Sequence, residues 1–445
     1  MIDEAIKNEP PAARKYCRRL LARVLGAMIC MAVFYPAAAA TLHVSIDGAS
    51  LAETVQHAVP GDTIVIAKGV YPVHLVIGKP LTLRGEPGAV LDGGGRGDVI
   101  RVRAPNVVIQ GLTIRHSGTN LNHMDAGIFV EKTASHVLIK DNFLDHNGFG
   151  LWLDSCADAR VIDNRVRGDP SQRRLADRGN GIQLANITRG LVAGNEIWQT
   201  RDGLYVETST HCLLRDNRMH NLRYGVHYMY SNHDRLINNH TWDTRSGYAL
   251  MSSDHLIVSG NHSRNDRIYG LLLNYITYST IENNTVHGIH GNPSIMGDVG
   301  KAIFIYNSEF NTLRNNVLAD SDIGIHMTAG SENNVIYDNA FINNRTQVKY
   351  VANHTDEWSS HGRGNYWSDY LGWDRNDDGI GDVAYEPNDA VDKLLWTYPL
   401  ARILMSSPAV ETLRWVQTQF PVLKPQGVRD SYPLMQPVAA LGASR

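Results

Sequence analysis

The sequence predicts an all-β chain wound into a right-handed parallel β-helix, a solenoid of turns about 22 residues long, and three observations predict it. First, asparagine recurs at Asn142, Asn164, Asn195, Asn217, Asn239, Asn261, Asn284, Asn316 and Asn339, at intervals of 22 or 23 residues with two longer steps of 31 and 32. An aliphatic residue stands three places before each: Ile139, Val161, Val192, Leu214, Leu236, Val258, Ile281, Leu313 and Ile336. Second, glycine opens most turns (Gly127, Gly150, Gly181, Gly203, Gly225, Gly247, Gly270 and Gly324, with Ala302 in its place once). The residues one and three places later are apolar, as in Val226/Tyr228 and Leu271/Leu273, and this period of two marks strands with one buried face. Third, no turn has room for an apolar helix. A leucine-rich repeat shares the period but demands L-x-x-L-x-L followed by a helical limb, which the turns lack. The asparagine column is expected to form a side-chain ladder at a corner that needs left-handed backbone geometry.

Before the repeats, Lys7, Arg14, Lys15, Arg18, Arg19 and Arg23 precede the apolar run "VLGAMICMAVFY", which ends in "PAAAA" before Thr41. This is the pattern of a secretory signal peptide over residues 1–40, cleaved near Ala40. The run is shorter than the about 20 residues a spanning helix requires, and an uncleaved anchor is the alternative. Without residues 1–40 the formal charge goes from −3 to −6, which argues against a nucleic-acid binder. The repeats then occupy residues 41–345, with "LAETVQHA" as a short capping helix near the start. Cys156 and Cys212 are expected to be reduced, in different columns about two rungs apart and too far for a disulfide, with Cys212 packed inward.

The alternation also assigns faces. Val226 and Tyr228 point inward, so His227 and Met229 point out, and the place equivalent to Met229 one turn later is Met251. Thioethers with imidazole form the ligand set that favours Cu(I). His227, Met229, Met251 and Met296 are therefore the candidate Cu(I) ligands, with His123, Met124, His287, His290 and His326 as secondary metal candidates on the same face and its loops. The competing reading packs Met229 and Met251 under the long loop of residues 286–300.

Residues 346–398 leave the period and are rich in Gly, Asp and aromatics, with Tyr366, Trp367 and Tyr370 expected to cover the last rung. Here Asp374, Asn376, Asp378 and Asp382 with Gly379 reproduce the first half of a calcium loop, although Tyr385 stands where a bidentate glutamate belongs. Calcium is thus a candidate ion, and an Asx-rich turn module the alternative. Residues 399–445 hold "PAVETLRWVQTQF", read as an amphipathic helix from Val410, Leu413, Trp415, Val416 and Phe420, and a tail without a core of its own, expected to dock on a partner or membrane face, with packing back on the cap as the alternative.

The segments "RYGVHYMYSNHDRLINN", "YGLLLNYITYSTIENNTVHGIHGNPSIMG", "GNYWSDYLGWDRNDDGIGDVAYEPND" and "LLWTYPLARILMSSPAV" together resemble the NosD family, periplasmic maturation proteins of nitrous oxide reductase. The resemblance spans essentially the whole chain after residue 40. It implies a periplasmic, non-catalytic β-helix that works with an ABC transporter (the ATPase NosF and the membrane subunit NosY). Such a protein takes Cu(I), transiently, from the chaperone NosL for the copper centres of nitrous oxide reductase, and meets the membrane only through the transporter. The resemblance supplies no ligand set; the four candidates rest on facing and softness.

A second class competes. Polysaccharide lyases, epimerases and carbohydrate-binding proteins also use the outer face of a parallel β-helix. Glu131 and Asp154 fall on neighbouring rungs with Trp152 and Tyr205 nearby. A lyase needs a strong base beside its acidic cluster, and no Arg or Lys is expected at the outward positions of this sheet.

Overall fold

The computed structural model describes residues 39–438 apart from 173, 296, 329, 351–353, 389–390, 393–395, 397, 399–406 and 420–425. The leader expected over residues 1–40 and the candidate ligand Met296 lie outside, or almost wholly outside, the described residues.

Each turn contributes one short strand to each of three parallel sheets, of 13, 13 and 12 strands. In the turn that starts at Tyr224, the third sheet receives Tyr224–Met229, the first Arg235–Ile237 and the second His240–Trp242. Every pairing between consecutive turns is parallel and in register: Leu204, Val226, Tyr248, Leu271 and Ile303 succeed one another along one inward column. These columns form a single aliphatic core running the length of the solenoid. Helix Leu51–His57 covers its start, burying Leu51 and Val55, as expected.

The glycines mark the closest approach between rungs. A Cβ built on Gly203 would sit 2.5 Å from the carbonyl oxygen of Gly225, and one on Gly225 2.7 Å from that of Gly247. No larger side chain fits there without shifting the backbone.

The asparagine ladder forms as expected and runs one rung further. Asn217 Nδ2 donates to Asn239 Oδ1 at 2.9 Å, Asn239 to Asn261 at 3.0 Å, and the series ends where Asn339 donates to Asn365 at 2.9 Å. Each member also satisfies backbone groups: Asn239 Nδ2 donates to the Leu214 carbonyl while its Oδ1 accepts from the Asn217 N–H. Left-handed geometry falls one residue earlier than the ladder, at Asp216, Asn238 and Asp338, for example.

The solenoid also continues beyond residue 345. Strand Thr346–Tyr350 extends the third sheet, and Tyr366–Trp367 extends the second. Trp367 stacks on Phe341 with ring centroids 4.2 Å apart, closing the core as expected of the capping module. Part of the tail follows the alternative and packs back on the cap. Val428–Arg429 pairs with Asp356–Glu357, and Asp430, buried, accepts from the Asn365 N–H and the Trp367 indole. That part of the tail belongs to the cap because its carboxylate answers buried donors that nothing else reaches. Helix Pro408–Gln419 forms, with Trp415 62% exposed; the Leu413 side chain and Phe420 lie outside the described residues.

Both cysteines are free and buried, and burial pushes each thiol up to about 12. Next to Cys212 lies an anomaly. Asp234 is fully buried; its Oδ1 accepts from the Cys212 N–H at 2.6 Å, and its carboxyl interacts with the equally buried Tyr228 hydroxyl. Burial raises this carboxyl to about 7. Later turns use Asn311 and Asn334 for the same backbone bond. The folded state keeps the Asp234 proton up to about pH 7, whereas the unfolded chain releases it near pH 4. Stability contributed by this site therefore falls as pH rises between those values. Asp234→Asn should raise the denaturation midpoint at pH 8 by the equivalent of roughly 1–4 kcal/mol and flatten that slope; denaturant melts at pH 4, 6 and 8 check it.

Candidate functional site

The outer face of the third sheet carries the candidate ligands in two columns. Tyr205, His227, Ala249, Leu272, Phe304 and His326 follow one another in the first, and Glu207, Met229, Met251, Asn274 and Tyr306 in the second. Met229 and Met251 are register partners on adjacent rungs, half-buried and outside the aliphatic core. Parallel pairing holds their backbones about 4.8 Å apart, and three rotatable bonds per side chain let the sulfurs converge. Asn274, the next residue of the column, carries a buried Oδ1 without a hydrogen-bond partner.

His227 stands two residues before Met229 on the same face, but it is only 7% exposed. Its ring lies edge-on to Tyr205 and Tyr224, with centroids 4.4 and 5.0 Å away. His227 Nδ1 donates to Asp202 Oδ2 at 3.0 Å, and the Arg223 guanidinium donates to the same carboxylate through Nε at 2.7 Å and through Nη2. Burial pushes the Asp202 carboxyl up, but hydrogen bonds from His227 and Arg223 outweigh it and leave it below the usual carboxylate range. With Nδ1 donating, the imidazole lone pair resides on Nε2. This is the carboxylate–histidine arrangement that fixes a ring for metal ligation, though here a shielded ring rather than one turned to solvent.

The secondary candidates are elsewhere. His326 lies four rungs beyond His227; burial and then Lys349 and Lys301 push it down to about 3, and its buried Nδ1 has no partner. His123 is exposed and bonds Asn120, while Met124 packs against a small cluster of Ala126, Phe129 and Phe149. His287 sits on the second sheet, 3.0 Å from Asp320, and His290 pairs with Asp322 at 3.2 Å. Among the described candidates, His227, Met229 and Met251 share one outer face on two adjacent rungs. In the cap, Asp374 accepts from the Asp378 and Gly379 N–H groups, Asp378 from the Ile380 N–H and the Asn376 amide, and Asp382 from the Arg375 N–H. These carboxylates brace their own loop as an Asx-rich turn does.

The expectation of a face without basic residues is corrected. Arg101 shares the column of Phe129 and lies 4.1 Å over its ring, and Lys349 pairs in register with His326. Arg101 and Lys349 themselves lie on rungs outside the regular repeat, where the alternation assigns no facing. Glu131 is held by Arg101 at 2.9 Å and Arg103 at 3.0 Å. Burial raises that carboxyl, yet the two guanidiniums bring it below its ordinary value. Glu131 is thus engaged within the protein.

Sequence reasoning passed over Asp202 and Arg223, and two histidine columns at repeat spacing: His211, His233 and His255, each 22 residues from the next, and His240 with His262. The spacing was the signal.

Comparison with known proteins decides the family. A relative from Pseudomonas aeruginosa, described as a probable ABC transporter binding protein NosD, is 59% identical over 379 residues, covering 84% of this chain and 88% of the relative. The chain belongs to the NosD family. Residues 162–372 match the model of that family, described as periplasmic copper-binding protein (NosD). A second relative of the same description, from Stutzerimonas stutzeri, is 54% identical over 373 residues, covering 83% of this chain and 85% of its own. NosD proteins are periplasmic, which fits the exported chain expected from the sequence. No helix among the described residues is long and apolar enough to cross a membrane. Solved structures show the fold alone. The catalytic domain of a GH87 α-1,3-glucanase is 12% identical with a TM-score of 0.54, covering 75% of this chain and 70% of that one. An alginate lyase, AlyF-OU02, is 13% identical with a TM-score of 0.52, covering 74% and 85%.

Asp202→Asn puts an amide where two donors need an anion. It should cost roughly 3 kcal/mol at pH 7. In the wild type this stabilisation is complete above the unfolded carboxylate range near pH 4 and drains as pH falls through the lower folded value. The variant should lose that acid-sensitive component, read from denaturation midpoints between pH 3 and 7.

Proposed function

We propose that this NosD protein is a transporter-associated copper carrier for the maturation of nitrous oxide reductase, presenting Cu(I) at Met229 and Met251 with His227 as the third ligand. The observation that carries the reading is the in-register methionine pair, half-buried on an outer face and excluded from the core. Methionine is normally interior filler, and two thioethers beside an oriented imidazole suit a soft monovalent ion.

The site's openness matches a transfer role. Two flexible thioethers hold the ion weakly enough for a partner's thiolate or thioether to replace them one at a time. His227, clamped by Asp202 and Arg223, gives the site one fixed donor. The family description as copper-binding and the relatives' description as ABC transporter binding proteins support this assignment. Cu(I) would come from the chaperone NosL and pass to nitrous oxide reductase, with NosF and NosY as the ATPase and membrane subunits. The reading needs no catalytic residue of this chain, and Glu131, engaged by two arginines, gives the lyase alternative little support.

In a Cu(I) competition titration with a chromophoric chelator, Met229→Ala/Met251→Ala should bind at least about 10-fold more weakly than the wild type; equal affinities would overturn the site. Docking on the transporter is assigned to helix Pro408–Gln419, whose Trp415 is exposed. Trp415→Ser/Val416→Ser should abolish co-purification with the membrane subunits while the variant stays folded by circular dichroism. Undiminished co-purification would refute that role.

A further inference from the structure

We propose that His233, Asp254 and His255 form a surface site for a divalent first-row ion, taking Cu(II) more tightly than Zn(II). The three residues lie on two adjacent rungs at the corner between the third and first sheets. One ligand atom from each lies within 4.8 Å of the other two. His233 and His255 have ring centroids 4.6 Å apart with the planes tilted by 31°. Among other adjacent-rung pairs, His211 and His233 stack with centroids 5.4 Å apart at 21°, and His240 and His262 stack at 4.5 Å and 4°. The His233–His255 pair has the Asp254 carboxylate beside it.

The surroundings hold these groups in place. Asn232 Oδ1 accepts from the Asp254 N–H at 3.0 Å, and the His233 N–H donates to the Asp254 carbonyl at 3.1 Å. The Asp254 Oδ1 receives His255 Nδ1 at 2.5 Å. No hydrogen-bond partner is found for the exposed His233 ring among the described residues. The corner does not require histidine: the same column reads His136, Asp158, Arg189 and His211 earlier and Tyr278 and Phe310 later, all with left-handed φ. Asparagine or glycine would meet that geometry more easily.

Two imidazoles with a carboxylate are borderline-to-hard donors and favour divalent ions, with copper first in the affinity order. The Met229/Met251 pair has the opposite preference. His233 follows Met229 by four residues and His255 follows Met251 by four, so each histidine Cα is within about 14 Å of its rung's methionine. One corner of the solenoid thus offers soft and borderline ligand sets side by side. The divalent site stands on its own atoms and does not require the Cu(I) reading.

The test titrates the purified protein with Cu(II) against a glycine competitor, repeats the titration with Zn(II), and records the Cu(II) paramagnetic resonance spectrum. One Cu(II) per chain should bind here with nitrogen hyperfine coupling, and Zn(II) should bind more weakly. His233→Asn/His255→Asn should weaken Cu(II) by at least about 10-fold; asparagine is chosen because it tolerates the left-handed backbone. Asp254→Asn should weaken it less. Met229→Ala/Met251→Ala and His240→Asn/His262→Asn should leave it unchanged. Wild-type Cu(II) affinity in the folded His233→Asn/His255→Asn variant, or loss of binding in the His240→Asn/His262→Asn variant instead, would overturn the proposal.

Discussion

Everything on the surface of this molecule depends on the parallel hydrogen-bonded register between consecutive turns. Because each rung pairs residue for residue with the next, a side chain that points outward meets its equivalent about 4.8 Å away, whatever the loops between them do. The asparagine ladder and the glycine column enforce this spacing from within. The first satisfies backbone groups that the corners would leave buried and unpaired, and the second lets the backbones approach where a Cβ would not fit. The solenoid is therefore a ruler on which donor atoms from different turns can be set side by side.

The third sheet uses that ruler for two different environments on one rung. His227 is shielded by Tyr205 and Tyr224 and anchored to the buried Asp202 carboxylate, itself paired with half-buried Arg223, whereas Met229, two residues on, is half-exposed. A buried charge pair is a costly way to stabilise a fold, since desolvation offsets most of the attraction. Its use beneath a histidine makes sense if the ring must keep one tautomer and one orientation. Flexible sulfurs next to a fixed nitrogen give a site that can hold an ion and still release it.

The core was legible because it is written in repeated letters. Asn217, Asn239 and Asn261, with Leu214, Leu236 and Val258 three places before them, announce the turn length, and the Gly225–Val226–Tyr228 alternation sets the faces. What period and alternation cannot show is how much a neighbouring side chain covers an outward residue. His227 does leave the outer face, yet Tyr224 and Tyr205 hide it, and only packing reveals that. The ends misled for a related reason. Arg101 and Lys349 sit on rungs whose sequences have drifted from the repeat, and Asp430 reaches its buried partners Asn365 and Trp367 across more than sixty residues, a contact no local pattern encodes. The histidines at 211, 233 and 255 are readable from spacing alone, but they lie at corners, outside the strand alternation that assigns faces.

The central claim, that this family member presents a soft ion on its outer face, is tested most directly by X-ray absorption at the copper edge of the Cu(I)-loaded protein. The account predicts two sulfur scatterers at about 2.3 Å, a distance typical of first-row metal–sulfur bonds, plus one nitrogen scatterer. A first shell made only of nitrogen and oxygen would contradict it.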